Sequence, residues 1–170
     1  MATTQVLILM GSASDAPVMQ KAADVLEELG VGSEMTVASA HRSPARVKRL
    51  VAEAPGRGIK VFIVGAGAAA HLAGVVAAHS TLPVIGVPVD SSPLKGFDAL
   101  LSTVQMPPGV PVATVSVGAA GAVNAGVLAV QILALGDASL AARLTRYKQK
   151  LADGVEQAAA ALLKDRTPAP

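Results

Sequence analysis

The chain has 170 residues, 52% of them hydrophobic, a formal net charge of +2 and no cysteine; that is enough for one buried core and excludes disulfides, thiolate catalysis and cysteine-bound zinc. Aromatic residues are only 2% of the chain and Lys and Arg form no run that would track a phosphate backbone, so nucleic acid is not expected as a partner. The opening Met1-Ala2-Thr3-Thr4-Gln5 has no basic n-region and leads into a short apolar run, which predicts neither a signal peptide nor a membrane span and makes the chain cytoplasmic by default.

Residues 6–10, Val-Leu-Ile-Leu-Met, are continuously apolar, the pattern of a central parallel strand buried on both faces. Gly11-Ser12-Ala13-Ser14-Asp15 follows as a turn. Residues 17–29 then place Val18, Ala22, Val25, Leu26 and Leu29 on one helical face until Gly30 stops the helix. The plan repeats with a strand over 34–38, the loop Ser39-Ala40-His41-Arg42-Ser43-Pro44, and a helix over 44–54, for which Pro44 suits the first turn. A third strand over 60–64 turns through residues 65–71 into a short helix reaching 79, and a fourth strand occupies 83–87. Loops at 90–96 and 106–109 flank a helix over 97–104, and a fifth strand is predicted over 112–117.

A break at 118–121 precedes residues 122–135, where Asn124 and Gln131 are the only polar side chains; such a helix should be enclosed on every side. From Asp137 to 164, Leu140, Leu144, Tyr147, Leu151, Val155, Ala158 and Leu162 recur at spacings of three and four, which predicts one long amphipathic helix. The chain therefore reads as a single domain, 1–170, with a core over 5–135, this terminal helix, and a frayed tail over 165–170.

Strands alternating with helices predict an α/β fold: a doubly wound, flavodoxin-like parallel sheet in three α/β/α layers, with strand order 2-1-3-4-5. Under that order the loops after strands two, one and three converge at the topological switch point, where ligands bind. Between residues 61 and 142 the only ionisable side chains besides histidine are Asp90, Lys95, Asp98 and Asp137. So little charge cannot solvate half of a monomer, which points to burial against other subunits in a homo-oligomer.

The chemistry concentrates in those three loops. His41 ends a strand and can exchange protons near neutrality, while Arg42 beside it can hold an anion. In the first loop a helix N-terminus and two hydroxyls offer donors to an anion, and Asp15 suits sugar hydroxyls, although these residue types also cap helices. No Lys-Ser or Lys-Thr pair follows, so the loop is not of the Walker kind. Gly65, Gly67 and Ala70 fit the G-x-G-x-x-G/A fingerprint, with Asp90 following at the end of the next strand; the alternative this raises is a nicotinamide-dinucleotide-binding module. His41, His71 and His79 lack a carboxylate at zinc-hydrolase spacing, so no metal is expected, and His79 reads as a surface residue.

Four motifs, Gly11-Ser12-Ala13-Ser14-Asp15, Ser39-Ala40-His41-Arg42-Ser43-Pro44, Gly65-Ala66-Gly67-Ala68-Ala69-Ala70-His71-Leu72 and Val104-Gln105-Met106-Pro107-Pro108-Gly109, closely resemble in order and spacing the PurE family of N5-carboxyaminoimidazole ribonucleotide mutases of purine biosynthesis. The resemblance spans residues 6–135 and departs at Ala16, Ala68 and Ala73, where the family usually has Trp, Gly and Pro. It implies a carboxylate migration that needs no cofactor: CO2 leaves the exocyclic nitrogen of the ribonucleotide and adds to C4 of the same imidazole. By similarity Ser12, Asp15 and Arg42 would hold the ribose phosphate and His41 would move the proton. The turn with His71 would wall in CO2, and Gly67 would give the reacting ring close approach. Ser14, Ser39, Ala40, Ala69 and Leu72 would complete the substrate site. The family is homo-octameric. A related carboxylase branch, which uses free CO2, typically has Lys after the histidine and an Ala-Gly-Arg-Ser-Asn turn in place of residues 65–71; it is the nearer alternative.

Overall fold

The computed structural model describes residues 3–164; the tail expected over 165–170 lies outside them. Five parallel strands, β1 (Thr4–Met10), β2 (Gly32–Val37), β3 (Val61–Gly67), β4 (Val84–Val89) and β5 (Ala113–Thr114), form one sheet in the order β2-β1-β3-β4-β5. That is the flavodoxin-like order expected from the sequence. The helices are α1 (Ala16–Glu28), α2 (Pro44–Glu53), α3 (Leu72–His79), α4 (Phe97–Val104), α5 (Gly118–Ala134) and α6 (Ala138–Lys164).

The apolar runs are explained by burial on both faces of the sheet. In β1, Val6, Ile8 and Met10 pack with α1, α5 and the start of α6, while Leu7 and Leu9 pack with α2 and α3. The same alternation sends Val61 and Ile63 of β3 one way and Phe62 and Val64 the other.

Several elements differ from the sequence reading. β5 pairs with β4 only through Ala113 and Thr114, with one more bond from the Val115 N–H to the Gly86 carbonyl at 3.0 Å. It follows Pro111, which has no N–H to donate, and the chain bends at Val117 to enter α5. The expected break at 118–121 is instead the first turn of α5. Gly121 lies against the Ser116 carbonyl, where any Cβ would collide with it, so this glycine serves a close approach.

α5 is not enclosed all round within the chain, since Ala119, Ala120, Asn124 and Gln131 are exposed along one side. β3 runs through Gly65 and Gly67, so the turn expected from residue 65 begins only at Ala68. In α6, Leu140 and Leu144 are buried, but the stripe emerges from the body beyond Lys150, leaving Leu151, Val155 and Leu162 exposed.

Candidate active site

Three strand ends meet at the C-terminal edge of the sheet, as the switch-point geometry requires. After β1, Ser12 caps a short 3-10 turn, Ala13–Asp15. Its Oγ accepts from the Ser14 N–H at 3.3 Å and from the Ser14 hydroxyl at 2.8 Å. The Asp15 carboxylate accepts from the Ser12 N–H at 3.1 Å and so closes a capping box. The capping role is therefore real, and it also pre-sets the loop, because the Ser12 hydroxyl accepts twice and keeps its own proton for a ligand.

Asp15 is only 4% exposed. Burial, the largest influence, raises its pKa above the ordinary carboxylate value; the Ser12 N–H, the Arg42 charge and the Ser14 side chain act in the opposite direction.

After β2 the chain folds back through Ser39, whose carbonyl accepts from the Ser43 N–H at 2.9 Å and the Ser43 hydroxyl at 3.2 Å. The Ser43 hydroxyl in turn accepts from the Ser39 N–H at 3.1 Å, and the Ser39 hydroxyl accepts from the Arg42 N–H at 3.2 Å. Arg42 then reaches across to β1, donating from Nη2 to the Gly11 carbonyl at 2.8 Å. This ties the second loop to the first and leaves most of the five guanidinium N–H donors for an anion.

The third turn is built differently. Ala68 has φ +50°, a left-handed conformation that costs a residue with a Cβ about 1–2 kcal/mol. The Ala70 and His71 N–H groups fold back onto the Ala68 and Ala69 carbonyls at 2.8 Å each. That tight path aims His71 at His41, with His41 Nε2 and His71 Nδ1 2.9 Å apart and the rings edge-to-face. One of these nitrogens donates and the other accepts.

These turns surround a cleft of about 170 Å³ lined by Ser12, Ser14, Asp15, Ser39, Ala40, His41, Arg42, Gly67, Ala69 and Leu72. Of the residues singled out in the sequence only His71 is not in that wall; it stands behind His41 as its hydrogen-bond partner. Gly11, Ala66 and Ser91 also line the cleft and were missed. Ser91 follows β4 and fills the space a Cβ at Gly67 would take. Gly67 therefore first admits a neighbouring hydroxyl, and the signal that could have found Ser91 is its position just past the strand that pairs with β3. The dinucleotide fingerprint does not survive. Gly65 and Gly67 are strand residues, and the space beside Gly65 is taken by Met19 of α1, so they form no glycine turn to cradle a pyrophosphate.

Residues 5–154 match the family model described as AIR carboxylase. The chain is 57% identical over 142 residues to the N5-carboxyaminoimidazole ribonucleotide mutase of Bacillus subtilis, covering 84% of this chain and 88% of that protein. It is 51% identical over 148 residues to the mutase of Vibrio parahaemolyticus, covering 87% and 92%. Among solved structures it is similar to Treponema denticola PurE, with a TM-score of 0.85, 29% identity and coverage of 94% and 98%.

Proposed function

Because the chain belongs to the AIR carboxylase family, we propose that it acts, as an N5-carboxyaminoimidazole ribonucleotide mutase, through His41 as the group that moves the proton. The substrate is a small ribonucleotide. In our reading its phosphate and ribose lie against Ser12, Asp15 and Arg42, where the free hydroxyl proton, the hydroxyl-accepting carboxylate and the guanidinium offer matching contacts. The imidazole then lies between His41 and the small residues of the third turn.

The N5–carboxyl bond breaks, N5 keeps the electron pair and takes a proton from His41, and CO2 is released beside C4. A C4–C bond forms and the C4 proton passes to His41, which returns to its starting state, so no net proton is consumed. His71, bonded to His41, holds the imidazole in one orientation and fixes its tautomer.

The observation that carries this reading is the asymmetry of the cleft, with the charged groups and most of the hydroxyls on the side of the first two loops and Gly67, Ala69 and Leu72, with the single hydroxyl of Ser91, on the other. An uncharged wall of small side chains suits nascent CO2, which has no strong hydrogen-bonding groups to satisfy, and excludes water that would compete for it. The exposed apolar side chains Leu94, Phe97, Leu101 and Val104, in the charge-poor half, support assembly as a homo-octamer. We place the enzyme in the cytoplasm, where its substrate class is made.

Isotope retention tests the reaction. With labelled N5-carboxylate and a pool of unlabelled CO2, the C4-carboxylate should carry most of the label. Full dilution of the label, with rapid turnover of aminoimidazole ribonucleotide and free CO2, would favour the carboxylase route.

A further inference from the structure

Away from the sheet edge, where the C-terminal end of α1 meets α6, a cleft of about 270 Å³ is lined by Glu28, Leu29, Arg143, Arg146, Tyr147 and Lys150. We infer that this cleft binds a small dianion of the phosphate class, inorganic phosphate or a phosphomonoester, separately from the catalytic cleft.

The four α6 residues fall at positions i, i+3, i+4 and i+7, so their side chains share one face. Three are cations, against one carboxylate, and that carboxylate is already engaged: Lys150 Nζ lies 2.7 Å from Glu28 Oε1. Of the other carboxylates nearby, Asp137 caps α6, accepting from the Ser139 and Leu140 N–H groups, and Glu27 faces the adjoining groove with Gly30. Arg143 is the telling residue. Its Nε is buried without a hydrogen-bond partner, an unusual state for a guanidinium and one that costs free energy unless a ligand restores the bond. Its Nη1 lies close over Gly30, whose lack of a Cβ leaves room for it.

The simplest alternative is that these cations answer the negative end of α1. Three of the last carbonyls of that helix are otherwise engaged, however: those of Val25, Leu26 and Glu27 accept from the N–H groups of Leu29, Val31 and Gly30. Asp137 answers part of the Arg143 charge, but among the described residues Arg146 has no hydrogen-bonded or ion-paired partner. A dianion with several oxygens would supply one to both arginines and to the Tyr147 hydroxyl.

The test uses Arg42→Ala as the host, so that the catalytic cleft does not compete for phosphate. Equilibrium dialysis of radiolabelled inorganic phosphate at low ionic strength should show one site per chain. Adding Arg146→Gln, an exposed position whose change leaves the fold intact, should weaken it about tenfold, the worth of one charge-assisted hydrogen bond. Adding Arg143→Gln should abolish it. In the otherwise native chain, Arg146→Gln should leave kcat/KM unchanged. Tighter binding of ribose 5-phosphate than of phosphate would assign the site to esters, and equal binding to free phosphate. No saturable phosphate binding by the host, an affinity indifferent to Arg146→Gln, or binding of an oligoglutamate peptide in place of phosphate would overturn the inference.

Discussion

The two turns that bring His41 and His71 together are made from opposite materials. The His41 loop is held by side chains, with Ser39, Ser43 and Arg42 joined to one another and to the Gly11 carbonyl. The His71 turn is closed on itself by backbone, with the Ala68 and Ala69 carbonyls accepting from the N–H groups two residues on, and it includes a strained alanine; its one side-chain tie is the bond between the histidines. A loop that must hold charge needs hydroxyls and a guanidinium fixed in advance, because each fixed donor is worth more than one that has to reorganise. A wall that must present little but van der Waals surface is better built from alanines.

Substitutions can break that contrast, beginning with the largest effect. His41→Asn should lower turnover by about 10²- to 10⁴-fold with fold and assembly intact; near-normal single-turnover rates would remove His41 from the mechanism. Arg42→Ala should raise KM by about ten- to a hundredfold with a smaller change in kcat, since the phosphate contact proposed for it would be present in ground state and transition state alike. Steady-state kinetics showing kcat alone reduced would contradict that placement. His71→Asn, which removes a bracing hydrogen bond, should cost about tenfold or less in kcat. A loss as large as that of His41→Asn would make the two rings equal partners.

The smaller effects concern stability. Ala68→Gly should stabilise the fold by about 0.5–1 kcal/mol, the relief of left-handed strain less the extra freedom of glycine in the unfolded chain; a chemical denaturation midpoint that falls would show the turn to be relaxed. Asp15 should give a pH signature. Its native pKa is raised, so the native state binds the proton more tightly than the unfolded chain, and Asp15 costs stability progressively as pH rises through its native pKa. Asp15→Asn keeps an oxygen for the Ser12 N–H, so its melting temperature relative to the parent should climb over that pH range while substrate binding weakens. A flat difference would mean that the carboxylate is not desolvated.

The sheet and its order were legible because burial on both faces leaves an uninterrupted apolar run at β1, β3 and β4, and because each run ends at a glycine or a polar turn. What the sequence could not reveal depended on neighbours distant along the chain. The apolar pattern of residues 112–117 is the same for a short edge strand as for a long central one, and it is Pro111 and the bend into α5 that cut β5 short. Gly121 reads as a break until the Ser116 carbonyl is seen against it. His41 and His71 were both identifiable, but their bond depends on the left-handed Ala68, and alanine gives no sign of such a conformation. Ser91 was overlooked because a serine beside Asp90 and Ser92 reads as ordinary loop polarity, and its place appears only opposite Gly67.

The position of β1 between β2 and β3 means that the walls of the cleft come from separate strand-to-helix units, each anchored by its own strand. The first two walls are cross-braced through Arg42, whereas the third joins them by one backbone bond, from the Gly11 N–H to the Gly65 carbonyl at 3.1 Å, and by the contact between the histidines. The third turn is therefore an interchangeable part. Its length and polarity can be rewritten beyond Gly67 without disturbing the register of β1 or the groups proposed to hold the phosphate, so a lineage could change how it handles carbon while the proposed phosphate contacts are inherited unchanged.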